Sequence, residues 1–189
     1  MMKIEFLENS PEAIRFSIND VSTDFVNALR RTIISRVKTF AIDTVTFYIN
    51  TSAMFDEYIA HRIGLVPILT PEGYDEKDEI LFTLDMEGPC TVYSKDLVSS
   101  DKKVKVAIED IPLIKLAEGQ RIKLEGKAIM GNGAKSAKFQ PGLATYEKKG
   151  EGKFEFYIET FGQMPSREIL NKALEIIEDD LKDAEKGLK

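Results

Sequence analysis

Cysteine and histidine each occur once in the 189 residues, and tryptophan is missing altogether. The lone Cys90 excludes an internal disulfide and any cluster held by several thiolates. With His61 the single imidazole, the usual four-ligand structural metal sites lack donors, so neither metal nor cofactor is expected. No apolar run approaches the roughly 20 residues that span a bilayer. The opening Met1-Met2-Lys3-Ile4-Glu5 meets an acidic residue at once and holds no apolar signal core, which reads as a cytoplasmic chain. Positive charge is also in deficit, with 26 Lys and Arg against 32 Asp and Glu, a net charge of −6. Tight nucleic-acid binding depends on a basic surface that displaces phosphate counterions, so strong direct binding of that kind is not expected.

What remains is an ordinary globular balance, 43% hydrophobic and 31% charged, in a length that suits one or two domains. Ile4–Glu8 and Ala13–Ile18 alternate partly around the turn residues Asn9-Ser10-Pro11-Glu12 and read as a hairpin. Cap candidates from Asn19 to Asp24 precede a helical pattern reaching Val37, in which Phe25, Leu29 and Ile33 recur at i+4 and Arg30 and Arg31 fall toward the other side. Residues 40–49 are rich in β-branched and aromatic types and read as a strand. A short helix over Met54–Ile63 stops at Gly64.

From Leu65 to Lys149 the texture changes to short strand-like runs: 80–84, 91–93, 104–106 and 121–124, separated by Gly, Pro and Asp turns. The chain closes with a strand over 153–159 and a long helix. There Leu170, Ala173, Ile177, Leu181, Ala184 and Leu188 trace one apolar stripe, widened by Leu174 and Ile176. That helix is as long as a small domain's core is wide, so part of its stripe calls for a partner. Helix-bearing ends around a strand-rich middle predict an α+β chain with one module inserted into another.

Chemistry is sparse. Glu57 and His61 stand at i,i+4 with no nucleophile near, which reads as a surface pair. Gly131-Asn132-Gly133-Ala134-Lys135-Ser136 invites a phosphate-loop reading but fails its spacing, because Asn132 follows Gly131 where lysine is required. Two rival functions stay open: a free-standing nucleotide-binding enzyme using that turn, and a homodimeric DNA-binding regulator.

Three stretches carry a resemblance. Asn27-Ala28-Leu29-Arg30-Arg31-Thr32-Ile33-Ile34-Ser35 resembles the first-helix motif of the alpha-type subunits of cellular RNA polymerases. His61-Arg62-Ile63-Gly64-Leu65-Val66-Pro67-Ile68 is similar to a segment of the D-type archaeal subunits and the third-largest eukaryotic subunit. Gly131 to Gly142 resembles their glycine–lysine–aromatic–proline loop, with Ser136 where the family often has His and Phe139 where it often has Trp. The resemblance implies a discontinuous dimerisation domain, 1–50 and 151–189, around an inserted β-rich domain, 51–150. It implies a non-catalytic assembly subunit of a DNA-directed RNA polymerase that pairs with the small subunit L and nucleates assembly of the large catalytic subunits. The dimer interface would comprise Phe25, Leu29, Ile33, Leu170, Leu174, Ile177 and Leu181. Arg31, Lys135, Lys138, Phe139 and Pro141 would meet the second-largest subunit. Many of the D-type archaeal subunits add a cysteine-rich module holding an iron–sulfur cluster; with Cys90 alone, a compact variant without it is expected.

Overall fold

The computed structural model describes residues 3–188, which fall into two compact units: 3–38 with 132–188, and 39–131. In the first unit, β1 (Lys3–Asn9) and β2 (Ala13–Asn19) form the expected hairpin, its turn tied by Ser10, whose hydroxyl accepts from the Ala13 amide at 3.0 Å. The sheet runs β1-β2-β10-β9, with β9 at Gly142–Gly150, β10 at Lys153–Thr160 and every pair antiparallel.

Two helices pack against it. α1 (Thr23–Ser35) begins where the Ser22 hydroxyl accepts from the Phe25 amide, satisfying one of the donors that open every helix. The closing helix, α3, spans Ser166–Gly187. Alternation sends Ile14, Phe16 and Ile18 from β2 and Phe154, Phe156 and Ile158 from β10 into one core. There they meet Val26, Leu29 and Ile33 of α1 and Ile169, Leu170 and Ala173 of α3. The rings of Phe16 and Phe156 stack at 5.4 Å. Each such side chain contributes roughly 1.5–3 kcal/mol by leaving water, which is what holds two otherwise marginal helices on the sheet.

The second unit has its own core around Phe40, Ile42, Phe82, Ile122 and Leu124. Its main sheet runs β3-β8-β4-β6 from β3 (Lys38–Asn50), β8 (Arg121–Asn132), β4 (Glu79–Glu87) and the two-residue β6 (Val98–Ser99). A two-stranded antiparallel sheet of β5 (Cys90–Tyr93) and β7 (Pro112–Leu116) lies with β7 beside α2 (Asp56–Gly64). Arg62 anchors that helix, its Nε donating to the Leu113 carbonyl at 3.0 Å.

The chain is thus mixed α and β with antiparallel sheets, but the sequence reading errs in places. The divisions near residues 50 and 150 move to Lys38/Thr39 and Gly131/Asn132. β3 hydrogen-bonds to β8 and so belongs to the middle unit, whereas β9 pairs with β10 and belongs to the outer one. Residues 104–106 are not a strand. The Asp101 carboxylate accepts from the amides of Lys103 and Val104, taking donors that a ladder needs, and an isolated bridge from Ile68 to Val106 is all that remains.

Candidate functional site: the cleft between α1 and α3

Twenty-two residues make α3 about 33 Å long at 1.5 Å per residue, longer than the sheet can cover. Its first turns bury Ile169, Leu170 and Ala173, and Leu174, Ile176 and Ile177 pack at the edge of that core. From Glu178 to Leu188 every residue is exposed, yet the apolar stripe continues, leaving Leu181 67% exposed. A cleft of about 370 Å³ opens where this stripe meets α1, lined by Ala28, Arg31, Thr32, Ile177, Asp180 and Leu181 among others. Its wall is fixed by Arg36, just past the end of α1, whose Nη1 and Nη2 donate to the two carboxylate oxygens of Asp180, the second at 2.9 Å. That paired hydrogen bond holds the Asp180 carboxyl below the usual range and raises the Arg36 guanidinium.

The residues expected at an interface divide. Leu29, Ile33 and Leu170 are internal core, and Phe25, Leu174 and Ile177 are half-buried against it. Of the seven, Leu181 alone stands open. Arg31 is exposed and lines this cleft. Sequence reasoning missed Arg36 and Asp180, which lie 144 positions apart. The only local hint is that Asp180 flanks the stripe between Ile177 and Leu181.

The 131–142 loop also differs from expectation. Phe139 is fully buried and Pro141 is buried, so neither presents itself to a partner. The Lys135 and Lys138 ammonium groups each sit 5.4 Å from the Phe139 ring centroid, within cation–π range. Pro141 is held by its carbonyl, which accepts from the Phe161 amide at 3.0 Å. The resemblance implies a contact role for this aromatic ring, but its burial is a property of the folded loop.

Gly133 has a packing reason. A Cβ there would lie 2.1 Å from the Ile34 carbonyl oxygen, where the loop closes on the end of α1 and the Ala134 amide donates to the Ser35 carbonyl at 2.9 Å. Gly133→Ala is therefore expected to cost about 1–3 kcal/mol, as overpacked sites do. Gly187→Ala, with nothing within 4 Å of the added atom, should leave stability nearly unchanged. Urea unfolding of the two variants makes the comparison.

This geometry also weakens the phosphate-loop rival. The amides of Ala134, Lys135 and Ser136 are spent on Ser35 and Asn132, whereas a phosphate cradle needs such donors aimed outward. His61 and Glu57 are both exposed on α2. The Asn50 side-chain amide donates to the Met54 carbonyl at 3.0 Å and to the Asp56 carboxylate at 2.6 Å. Among the described residues, no group of three His, Cys, Asp or Glu side chains could hold a metal, and no helix is long and apolar enough to cross a membrane.

Residues 45–145 match the family described as the RNA polymerase Rpb3/RpoA insert domain. Subunit Rpo3 of DNA-directed RNA polymerase from Methanocaldococcus jannaschii is 50% identical over 153 residues, 81% of this chain and 78% of that one. This chain belongs to the Rpo3 family of DNA-directed RNA polymerase subunits. Rpo3 of Thermococcus kodakarensis is 46% identical over 154 residues, covering 78% of this chain and 60% of the relative. For Rpo3 of Halobacterium salinarum the identity is 45% over 141 residues, 75% and 57%. The match thus spans less than two thirds of these two relatives. The matched insert-domain segment overlaps the middle unit, and the α1–α3 cleft lies in the other.

Proposed function

We propose that this chain is a non-catalytic assembly subunit of a cytoplasmic, DNA-directed RNA polymerase. It pairs with the small subunit L through the α1–α3 cleft, and the pair then nucleates assembly of the large catalytic subunits. The outer unit acts as the dimerisation domain. One observation carries the reading: an apolar stripe that leaves its own core at Ile177 and continues, exposed, through Leu181 beside a preformed cleft. An exposed leucine row on a helix with no core beneath it is the usual form of a helix-in-groove or helix-pair contact.

The loop is the second contact. Lys135 and Lys138, with Phe139 and Pro141 bracing them from inside, offer charge to acidic groups on the second-largest subunit. Arg31 reaches out from the cleft rim toward the same assembly. The chain is a compact variant without an iron–sulfur module, since one cysteine cannot ligate a cluster.

Co-expression provides the test. This chain and cognate subunit L should co-elute as a one-to-one pair without stoichiometric iron, and the pair should then retain the second-largest subunit on a column. Separate elution of the two small chains refutes the pairing.

A further inference from the structure

The outer half of α3 stands where a helix holds least well by itself. Extending a helix in water gains close to nothing per residue, so a run with no core beneath it frays from its end. Residues 178–188 are all exposed. Within the helix, Lys182 pairs with Glu178 at 2.7 Å and Lys186 with Asp183 at 2.9 Å. Such pairs favour the helical state but leave the direction of the helix open. The contact between Arg36 and Asp180 is of another kind, because it ties α3 to the end of α1. Arg36 leaves a pinned backbone. Its amide and that of Val37 donate to the Thr32 carbonyl at 2.9 and 3.3 Å, and the Ala134 amide closes on the neighbouring Ser35 carbonyl at 2.9 Å. From that base the guanidinium donates to both carboxylate oxygens of Asp180. A fork on two oxygens fixes orientation as well as distance. Asp180 stands next to Leu181, about 100° around the helix, so fixing the one also aims the other. Both line the cleft, with Ala28 and Thr32 of α1 across from them.

Resting on the pairing reading above, we propose that Arg36 and Asp180 form a clamp that presets the cleft, holding the outer half of α3 helical and turned toward α1 before any partner arrives. The two are positioning residues that act through Leu181. A partner then meets a surface already formed, and the ordering that would otherwise oppose association is complete within this chain. The side chains are 46% and 52% exposed, so the pair adds little to the stability of the whole unit. Its effect is local, on the population of one geometry of the helix end.

Hydrogen exchange of the free chain and titration calorimetry with purified subunit L make the test, on Asp180→Ala, Arg36→Ala, the double variant, Arg36→Lys and Leu181→Glu. In each single alanine variant the amides of 178–188 should exchange about fivefold faster or more, while those of 167–177 stay protected. The urea midpoint should hardly move, which separates the clamp from a general structural role. Affinity for subunit L should fall about threefold to tenfold, and the double variant should lose no more than either single one, as two halves of one contact do. Arg36→Lys keeps the charge without the fork and should fall between wild type and Arg36→Ala. Unchanged exchange in both alanine variants overturns the clamp and leaves the pairing standing. Faster exchange with wild-type affinity, while Leu181→Glu is impaired, overturns the presetting of the cleft. Wild-type affinity in Leu181→Glu instead removes the pairing reading, whatever the exchange shows.

Discussion

Phe139→Ala should lower the unfolding free energy by about 3–5 kcal/mol, the range for deleting a fully buried aromatic ring. The ring has no exposed surface, so its removal leaves a cavity that neighbours close only in part. It also takes away the face over which Lys135 and Lys138 lie, each worth about 0.5–1 kcal/mol in a partly hydrated setting. Against a total stability of about 5–15 kcal/mol, the loss is large. Urea or thermal unfolding of the isolated chain measures it, and a change below about 1 kcal/mol would mean that the loop packs more loosely than its burial indicates. Phe139→Ala therefore cannot serve as a clean probe of contact with the large subunits. The suitable probe is Lys135→Ala with Lys138→Ala, which leaves the ring in place.

Leu181→Glu is expected to do the reverse, sparing the fold and abolishing the partner. At 67% exposure the side chain buries little in the free chain, so stability should shift by no more than about 0.5 kcal/mol. In the pair it would be buried, and a carboxylate left unpaired in an apolar contact costs several kcal/mol. A loss of at least tenfold in affinity for subunit L follows, about 1.4 kcal/mol or more. Leu174→Glu is a poorer choice, because Leu174 packs against the unit's own core and its loss would confuse folding with binding. Wild-type affinity in a correctly folded Leu181→Glu chain would mean that the stripe's outer half is not the contact.

Local pattern alone yields much of this protein. The hairpin at the start, α1 with its Ser22 cap, β3, α2, the closing strand and α3 are legible because each is written in short-range periodicity, turn chemistry or capping residues. The long apolar stripe of α3 is likewise a property of spacing, and so are the motifs that resemble the alpha-type polymerase subunits. Composition by itself removes internal disulfides and multi-thiolate clusters.

Other features needed the folded chain. Pairing decides unit membership: β9 bonds to its neighbour β10, but β3 bonds to β8 with several strands between them in the chain, and no residue within β3 announces that distant partner. Helical spacing makes Leu29, Ile33, Leu170 and Leu181 equivalent, yet the first three fill one core while Leu181 remains outside it. The sheet beneath α3 ends before the helix does, and that length mismatch is invisible in either element alone. Arg36 and Asp180 meet across 144 residues, and Phe139 turns inward among lysines, because packing density and hydrogen-bond satisfaction are settled between segments rather than along them.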